Sequence, residues 1–249
     1  MTVDLNGAKV LVTGGARGIG LALSQQLVAK GAHVVAVGRN ARDLETLRRA
    51  HAAQVSIIEA DLSIQADVDR LVTCVQRKHP DLDILINNAA VQHELALFTT
   101  PPGAATLSAR REVALNLDGL ISLTIGLLPV LAAQDAAAVV NISSALALTP
   151  KAASPVYCAT KAAVRSFSTA LRYQCDDAAP HVQVSEVIMA LVDTQMTQGR
   201  GKGKIATTQA AEAVISGLIR GKPEIWVAQT KMLRLVNRLS PALAARILR

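Results

Sequence analysis

Tyr157 and Lys161 stand four residues apart, and Ser144 lies thirteen residues before the tyrosine. On a helix, a spacing of four puts the phenol and the ammonium on one face. A carbonyl that receives a hydride gains negative charge on oxygen and needs a positioned proton donor there. A phenol can be that donor. Its ordinary pKa of about 10 is high for exchange near neutrality, and an adjacent Lys161 together with an oxidised nicotinamide ring would favour the phenolate. Lys161 can also hold the nicotinamide ribose. Ser144 follows an apolar run, where its hydroxyl can bind and orient the substrate oxygen, with Ser143 as the competing candidate. Asn116 lies in a long helical stretch, although asparagine is a mediocre helix former, and is assigned to a proton relay.

Near the start, Thr13-Gly14-Gly15-Ala16-Arg17-Gly18-Ile19-Gly20 offers the other half of the chemistry. A glycine turn between strand and helix lets a pyrophosphate approach the backbone, and the helix N-terminus supplies amide donors and partial positive charge. Gly14, Gly18 and Gly20 fit that need, with Ile19 inside the turn. In the common dinucleotide fold an acid closing the second strand grips the ribose hydroxyls. Here the position reads Gly38-Arg39. Arg39, helped by Arg17, suits the 2′-phosphate of NADP, so NADP(H) is favoured over NAD(H). Solvated surface arginines are the plainer alternative. Asp61-Leu62 follows the third strand, and Asp61 could accept from an adenine amino group. Asn87-Asn88-Ala89-Ala90 follows the fourth; the first Asn reads as structural, while Asn88 is balanced between a strand tie and a cofactor contact.

The elements that must position these residues are short β-branched runs alternating with helical stretches: 9–13, 33–38, 55–60, 83–87, 138–143, 182–188 and 224–228. Most are apolar without strict alternation, as strands covered on both faces should be. The expected fold class is α/β: a single Rossmann-type, doubly wound domain over 1–249, with a seven-stranded, mostly parallel sheet and helices on both faces. Right-handed crossovers gather strand C-termini on one edge, and every residue singled out above except Asn116 follows a strand or opens a helix there. The Gly- and Lys/Arg-rich stretch 198–204 reads as a mobile lid or loop.

Hydrophobic residues make up 51% of the 249 but aromatics only 2%, so the core must be built from Ala, Val, Leu and Ile. Residues 1–6 lack a charged start or long apolar stretch, which argues against a signal peptide. The longest charge-free apolar run, 119–133, is short for a transmembrane helix and reads as a buried one. Cys74, Cys158 and Cys175 form no metal-ligand spacing and read as cytoplasmic thiols; Cys158, though beside Tyr157, points elsewhere on a helix. No metal is expected. The net charge of +7 is concentrated after residue 195, with ten Lys or Arg against Glu212 and Glu224. That tail has only Trp226 as a stacking platform, which argues against nucleic acid. Its last part, 230–249, alternates aliphatic and basic residues and reads as a solvated or packed terminal helix, with an anionic membrane surface as the alternative.

The set Thr13-Gly14-x-x-x-Gly18-x-Gly20, Asn87-Asn88-Ala89, Asn116, Ser144 and Tyr157-x-x-x-Lys161 resembles the short-chain dehydrogenase/reductase family, in order and over nearly the whole chain. Residues 155–173 with Leu191-Val192-Asp193-Thr194 look like a poorly characterised bacterial oxidoreductase branch of it. The resemblance implies an NAD(P)-linked oxidoreductase acting on a small carbonyl/alcohol pair, with the catalytic set Asn116, Ser144, Tyr157 and Lys161. It further implies nicotinamide contacts at Val192 and Thr194, substrate selection by 195–207 and 91–102, and a homodimer or homotetramer. Two departures stand out: Ala90 replaces a usual glycine, and Met189-Ala190 replaces a usual Pro-Gly. The second leaves room for a dinucleotide-sensing protein without catalysis, and a cofactor-retaining epimerase or dehydratase is the third reading.

Overall fold

The computed structural model describes residues 3–240. Seven strands, β1 (Lys9–Thr13), β2 (His33–Gly38), β3 (Val55–Glu59), β4 (Ile84–Asn87), β5 (Ala137–Ser144), β6 (Val182–Met189) and β7 (Glu224–Trp226), form one sheet in the order β3-β2-β1-β4-β5-β6-β7. Every pairing is parallel. The chain winds outward from β1 to β3, then returns to place β4 on the other side of β1, so the switch point lies between β1 and β4.

Helices α1 (Gly18–Ala29), α2 (Ala41–Ala50), α3 (Gln65–Lys78), α4 (Pro102–Val113), α5 (Gly119–Ala132), α6 (Pro155–Ala178), α7 (Thr207–Ile219) and α8 (Thr230–Leu239) complete the described fold. Successive strand residues point to opposite faces, and the core divides accordingly. Val10, Val12, Ile84, Ile86, Ala138 and Val140 pack in one cluster with α1 and α7. Leu11, Leu85, Ala137 and Val139 pack in the other with residues of α3, α5 and α6. This two-sided burial explains why the strands read as continuous apolar runs. Among the described residues the fully buried hydrophobic set holds no aromatic, as the composition requires.

Several strand ends differ from the sequence expectation, with β3 stopping one residue short at Glu59 and β5 starting one residue early at Ala137. β4 starts after Asp83, whose carboxylate accepts from the Lys9 amide at 2.8 Å while its own amide donates to the Lys9 carbonyl at 3.0 Å. β5 and β6 each run one residue longer at the functional edge. β7 stops at Trp226, two residues before Ala228 turns to a positive φ of 49°. The helix α5 is buried along one face only, through Leu120, Leu123, Leu127 and Leu131, while Ile125 is 58% exposed. The continuous helical run 102–132 is long and apolar enough to cross a membrane by length and composition alone; here its buried face packs on α3 and the sheet. Of the basic tail, α8 is a mostly exposed helix, with Arg234 5.0 Å from the Trp226 ring centroid; residues 241–249 lie outside the described part.

Candidate active site

Strand β1 ends in a turn that only glycine can make. Gly14 and Gly18 have φ of +65° and +52°, a region that costs L side chains free energy. At Gly20 the constraint is space: a Cβ would lie 2.0 Å from the Gly14 carbonyl oxygen and 2.7 Å from Asn88 Nδ2. Helix α1 then begins with no side-chain cap and no acid in its first turn, and Leu21 is the first residue whose amide bonds back, to the Arg17 carbonyl at 3.1 Å. Such an end is a ready anion site. The Thr194 methyl packs 3.4 Å from where a Gly18 Cβ would stand, so the loop after β6 closes on this turn.

The other predicted cofactor residues are sorted by the fold. Asn88 ties strands together: its Nδ2 donates to the Thr13 carbonyl at 2.9 Å and its amide to Thr13 Oγ1 at 2.9 Å, with Ala89 bonding the same hydroxyl at 3.0 Å. Asn87 is structural, donating to Thr124 Oγ1 and Asn141 Oδ1 at 2.9 Å. Leu62 and Val192 are buried in the core, which leaves backbone as their means of contact, and Ile19 packs partly against it. Asp61 Oδ1 is occupied by the amide and hydroxyl of Ser63, while Oδ2 faces Arg39 at 3.9 Å. Arg39, Glu59, Asp61, Asp67 and Arg70 line a polar hollow beyond β2 and β3. Arg17 departs from expectation: its guanidinium is held by Asp43, an acid in the first turn of α2. The pairing leaves its two terminal nitrogens for other ligands.

Strand β5 and helix α6 bring the chemical residues together. Tyr157 is half-buried, and its hydroxyl lies close enough to the Ser144 side chain for that side chain to act on its acidity. Ser144 also accepts from the Leu146 amide at 3.1 Å. Ser143 instead donates to the Lys161 carbonyl at 3.3 Å, so Ser144 is the serine beside the tyrosine hydroxyl. Lys161 is 2% exposed, donates from Nζ to the Ile142 carbonyl at 2.7 Å, and lies 5.7 Å from the Tyr157 ring centroid.

Burial governs the acidity of this pair. Burial pushes the Tyr157 hydroxyl up to about 12 against a lowering by Ser144, and burial lowers the Lys161 ammonium to about 8. Desolvation disfavours both charged forms. With Lys161 anchored to a strand carbonyl, its charge does not overcome that effect on the phenol.

Asn116 is central but differently employed. It sits in a π-helical turn, residues 114–118, that joins α4 to α5. Its side chain accepts from the Val91 amide at 2.8 Å and donates to the Val91 carbonyl at 2.8 Å and to Thr160 Oγ1 at 3.3 Å. Thr160 in turn bonds the Tyr157 carbonyl at 2.8 Å. The amide thus fixes the loop after β4 against the Tyr157 helix through both N–H donors and its oxygen. Cys158 is buried, accepting from the Lys151 amide at 3.3 Å, which is the plain structural role read from its position.

Sequence reading passed over Glu112. It is 0% exposed, takes the His93 amide on Oε1 at 2.5 Å, and sits close enough for its charge to act on Tyr157. Its place four residues before Asn116 was the available signal, since that spacing shares a helix face.

Residues 8–204 match the model of the short chain dehydrogenase family. The chain is 33% identical over 236 residues to the uncharacterized oxidoreductase DltE of Bacillus subtilis, covering 92% of this chain and 91% of that one. It is 32% identical over 196 residues to the NADP-dependent 3-hydroxy acid dehydrogenase YdfG of Salmonella typhi, covering 78% and 77%. A short chain dehydrogenase from Burkholderia cenocepacia, solved in complex with NADP, superposes with a TM-score of 0.87 at 26% identity, over 99% of this chain and all of that one. With a seven-stranded parallel sheet, the glycine turn and the Ser144–Tyr157–Lys161 arrangement at one edge, this chain belongs to the short chain dehydrogenase family of oxidoreductases.

Proposed function

We propose that the protein interconverts a small carbonyl compound and its alcohol with NADP(H), using Tyr157 as the acid and base. The observation that carries this reading is that Ser144 and buried Lys161 flank Tyr157 at the sheet edge that also bears the uncapped glycine turn. The turn fits a dinucleotide: Gly14 and Gly18 hold a backbone of positive φ that opens onto the start of α1, and that helix end has no side-chain cap and no acid in its first turn. When bound, the dinucleotide supplies the hydride. Ser144 Oγ and the Tyr157 hydroxyl hold the substrate oxygen. As that oxygen gains negative charge it becomes far more basic than the phenol, so a tyrosine held protonated by burial releases its proton at that moment. Lys161 keeps two N–H donors beyond the Ile142 bond, suited to ribose hydroxyls. Asn116 acts as a positioning residue for the Val91 loop and the Tyr157 helix; any proton path past it runs through main chain or solvent.

The choice of NADP(H) rests on Arg39, mostly exposed and standing directly after β2 where a ribose-binding acid would otherwise be, although Asp61 lies 3.9 Å from it and Glu59 and Asp67 line the same hollow. The acid nearest Arg17 is spent on that arginine. Titration should show Arg39→Asp losing at least about tenfold in NADPH affinity, from a lost charge-assisted contact and a like-charge repulsion, while NADH binding holds or improves; unchanged NADPH affinity sinks the assignment. The three free cysteines fit a cytoplasmic setting, and assembly as a homodimer or homotetramer through α5 and α6 completes the reading. A sensing protein would bind NADPH tightly and consume none with any carbonyl.

A further inference from the structure

Three side chains from three separate elements leave buried polar atoms without partners at the substrate end of this site. Glu112 Oε2 on α4, His93 Nδ1 on the loop after β4, and an Arg200 terminal nitrogen on the loop after β6 all lack a hydrogen bond. Buried polar atoms are seldom left so. They belong to one corner: His93 Nδ1 is 3.4 Å from Glu112 Oε1, and Arg200 Nε is 3.4 Å from Glu94, the residue after His93. That corner adjoins the chemistry, because Lys151, which faces Glu94, also donates its amide to Cys158 beside Tyr157 at 3.3 Å.

The loops themselves are fastened there. Glu94 is 3.4 Å from Lys151 and 3.4 Å from Arg200 Nε, so the loops after β4, β5 and β6 meet on it. Gln92 donates to Ser154 Oγ at 3.0 Å and Leu95 to the Ala153 carbonyl at 2.9 Å, one step before Tyr157's helix. Arg200 is flanked by Gly199 and Gly201, both with positive φ, so its backbone can swing without a Cβ penalty.

Glu112 Oε2 offers an acceptor and Arg200 a donor. One hydroxyl satisfies both at once, giving its hydrogen to the carboxylate and accepting from the guanidinium. We propose that the substrate carries, besides the reacting carbonyl, a hydroxyl that Glu112 and Arg200 hold in this corner, with Glu112 as the specificity-determining residue. The inference rests on the carbonyl/alcohol reading above and narrows it to hydroxylated carbonyl compounds. A pocket built to bond a hydroxyl discriminates strongly against the analogue without it, since its polar groups are then left bare.

The test uses methyl ketones bearing a terminal hydroxyl, each paired with the ketone that has a methyl in its place, and reads the ratio of the two kcat/KM values with NADPH. General losses of folding or catalysis cancel in that ratio. The wild type should favour the hydroxylated member of at least one pair by about tenfold or more. Glu112→Gln, which keeps an oxygen for the His93 amide and turns the orphan acceptor into a donor, should lower that ratio by about tenfold. Arg200→Ala, on an accessible loop, should lower it similarly. A wild-type ratio near one for every chain length, or a ratio that survives both variants, overturns the inference while leaving the carbonyl reading intact. If no ketone is turned over, the carbonyl reading fails instead. The corner is then judged by thermal shift with NADP: stabilisation by a diol and not by the matching alcohol upholds it, and equal responses overturn it.

Discussion

The Tyr157 hydroxyl, pushed up to about 12 by burial, and the Lys161 ammonium, lowered to about 8, describe a site that stores a proton on the phenol and pays for a buried cation. The second effect has a sign that can be worked out. Lys161 has an ordinary pKa of 10.5 when unfolded and about 8 when folded, so the unfolded chain binds more protons between those values, and stability rises with pH through that window. Replacing Lys161 by Met removes the contribution. Denaturation of the ligand-free proteins should show Lys161→Met gaining on the wild type below about pH 8, with the gap closing as pH approaches 10.5; parallel curves would count against the buried-ammonium account. The spacing of Tyr157 and Lys161 was legible in the sequence because a helix fixes it. Their acidity was not, since it depends on how much water the fold excludes and on the Ile142 carbonyl that captures the ammonium.

Among the elements, the turn between β1 and α1 carries the tightest constraint. At Gly20 a methyl would meet the Gly14 carbonyl oxygen at 2.0 Å, a backbone atom that cannot swing aside. Gly20→Ala should therefore cost about 2 kcal/mol or more in stability through overpacking and abolish measurable dinucleotide binding, as read by urea denaturation and by fluorescence titration with NADPH. A variant of wild-type stability that still binds would show the turn is looser than this geometry. The seven strands and their parallel arrangement followed from β-branched runs and alternation with helices, while their ends shifted by one or two residues. The α4 region was less legible. Glu112 follows Arg110 and Arg111 and looks like part of a solvated charge run, yet the packing of α4 on α6 places it in the interior. Asn116 was singled out correctly as unusual in a helix, but only the π turn shows why: its side chain replaces the strand partner that the Val91 loop lacks.

The whole molecule presents exposed apolar and small surface on the helices flanking the site. Ile125 on α5 is 58% exposed and Tyr173 on α6 is 63% exposed, and α6 adds exposed Ala159, Ala162, Ser166 and Ala170. Small residues allow close helix approach, and an apolar face of this kind is what an interface between copies would cover. Light scattering should report a dimer or tetramer for the wild type and a lower mass for Ile125→Arg; a monomeric wild type would contradict the assembly. Nothing in composition or pattern named the substrate, and side chains such as His93, Glu94 and Arg200 come together only in the folded chain. The account as a whole stands on hydride transfer coupled to proton release from Tyr157. Its most direct measurement is carbonyl-dependent oxidation of NADPH by the wild type and by Tyr157→Phe. The wild type should consume NADPH, and the variant should bind NADPH yet show kcat at least about 100-fold lower. NADPH bound but never consumed by the wild type, or equal turnover in the two proteins, would contradict it.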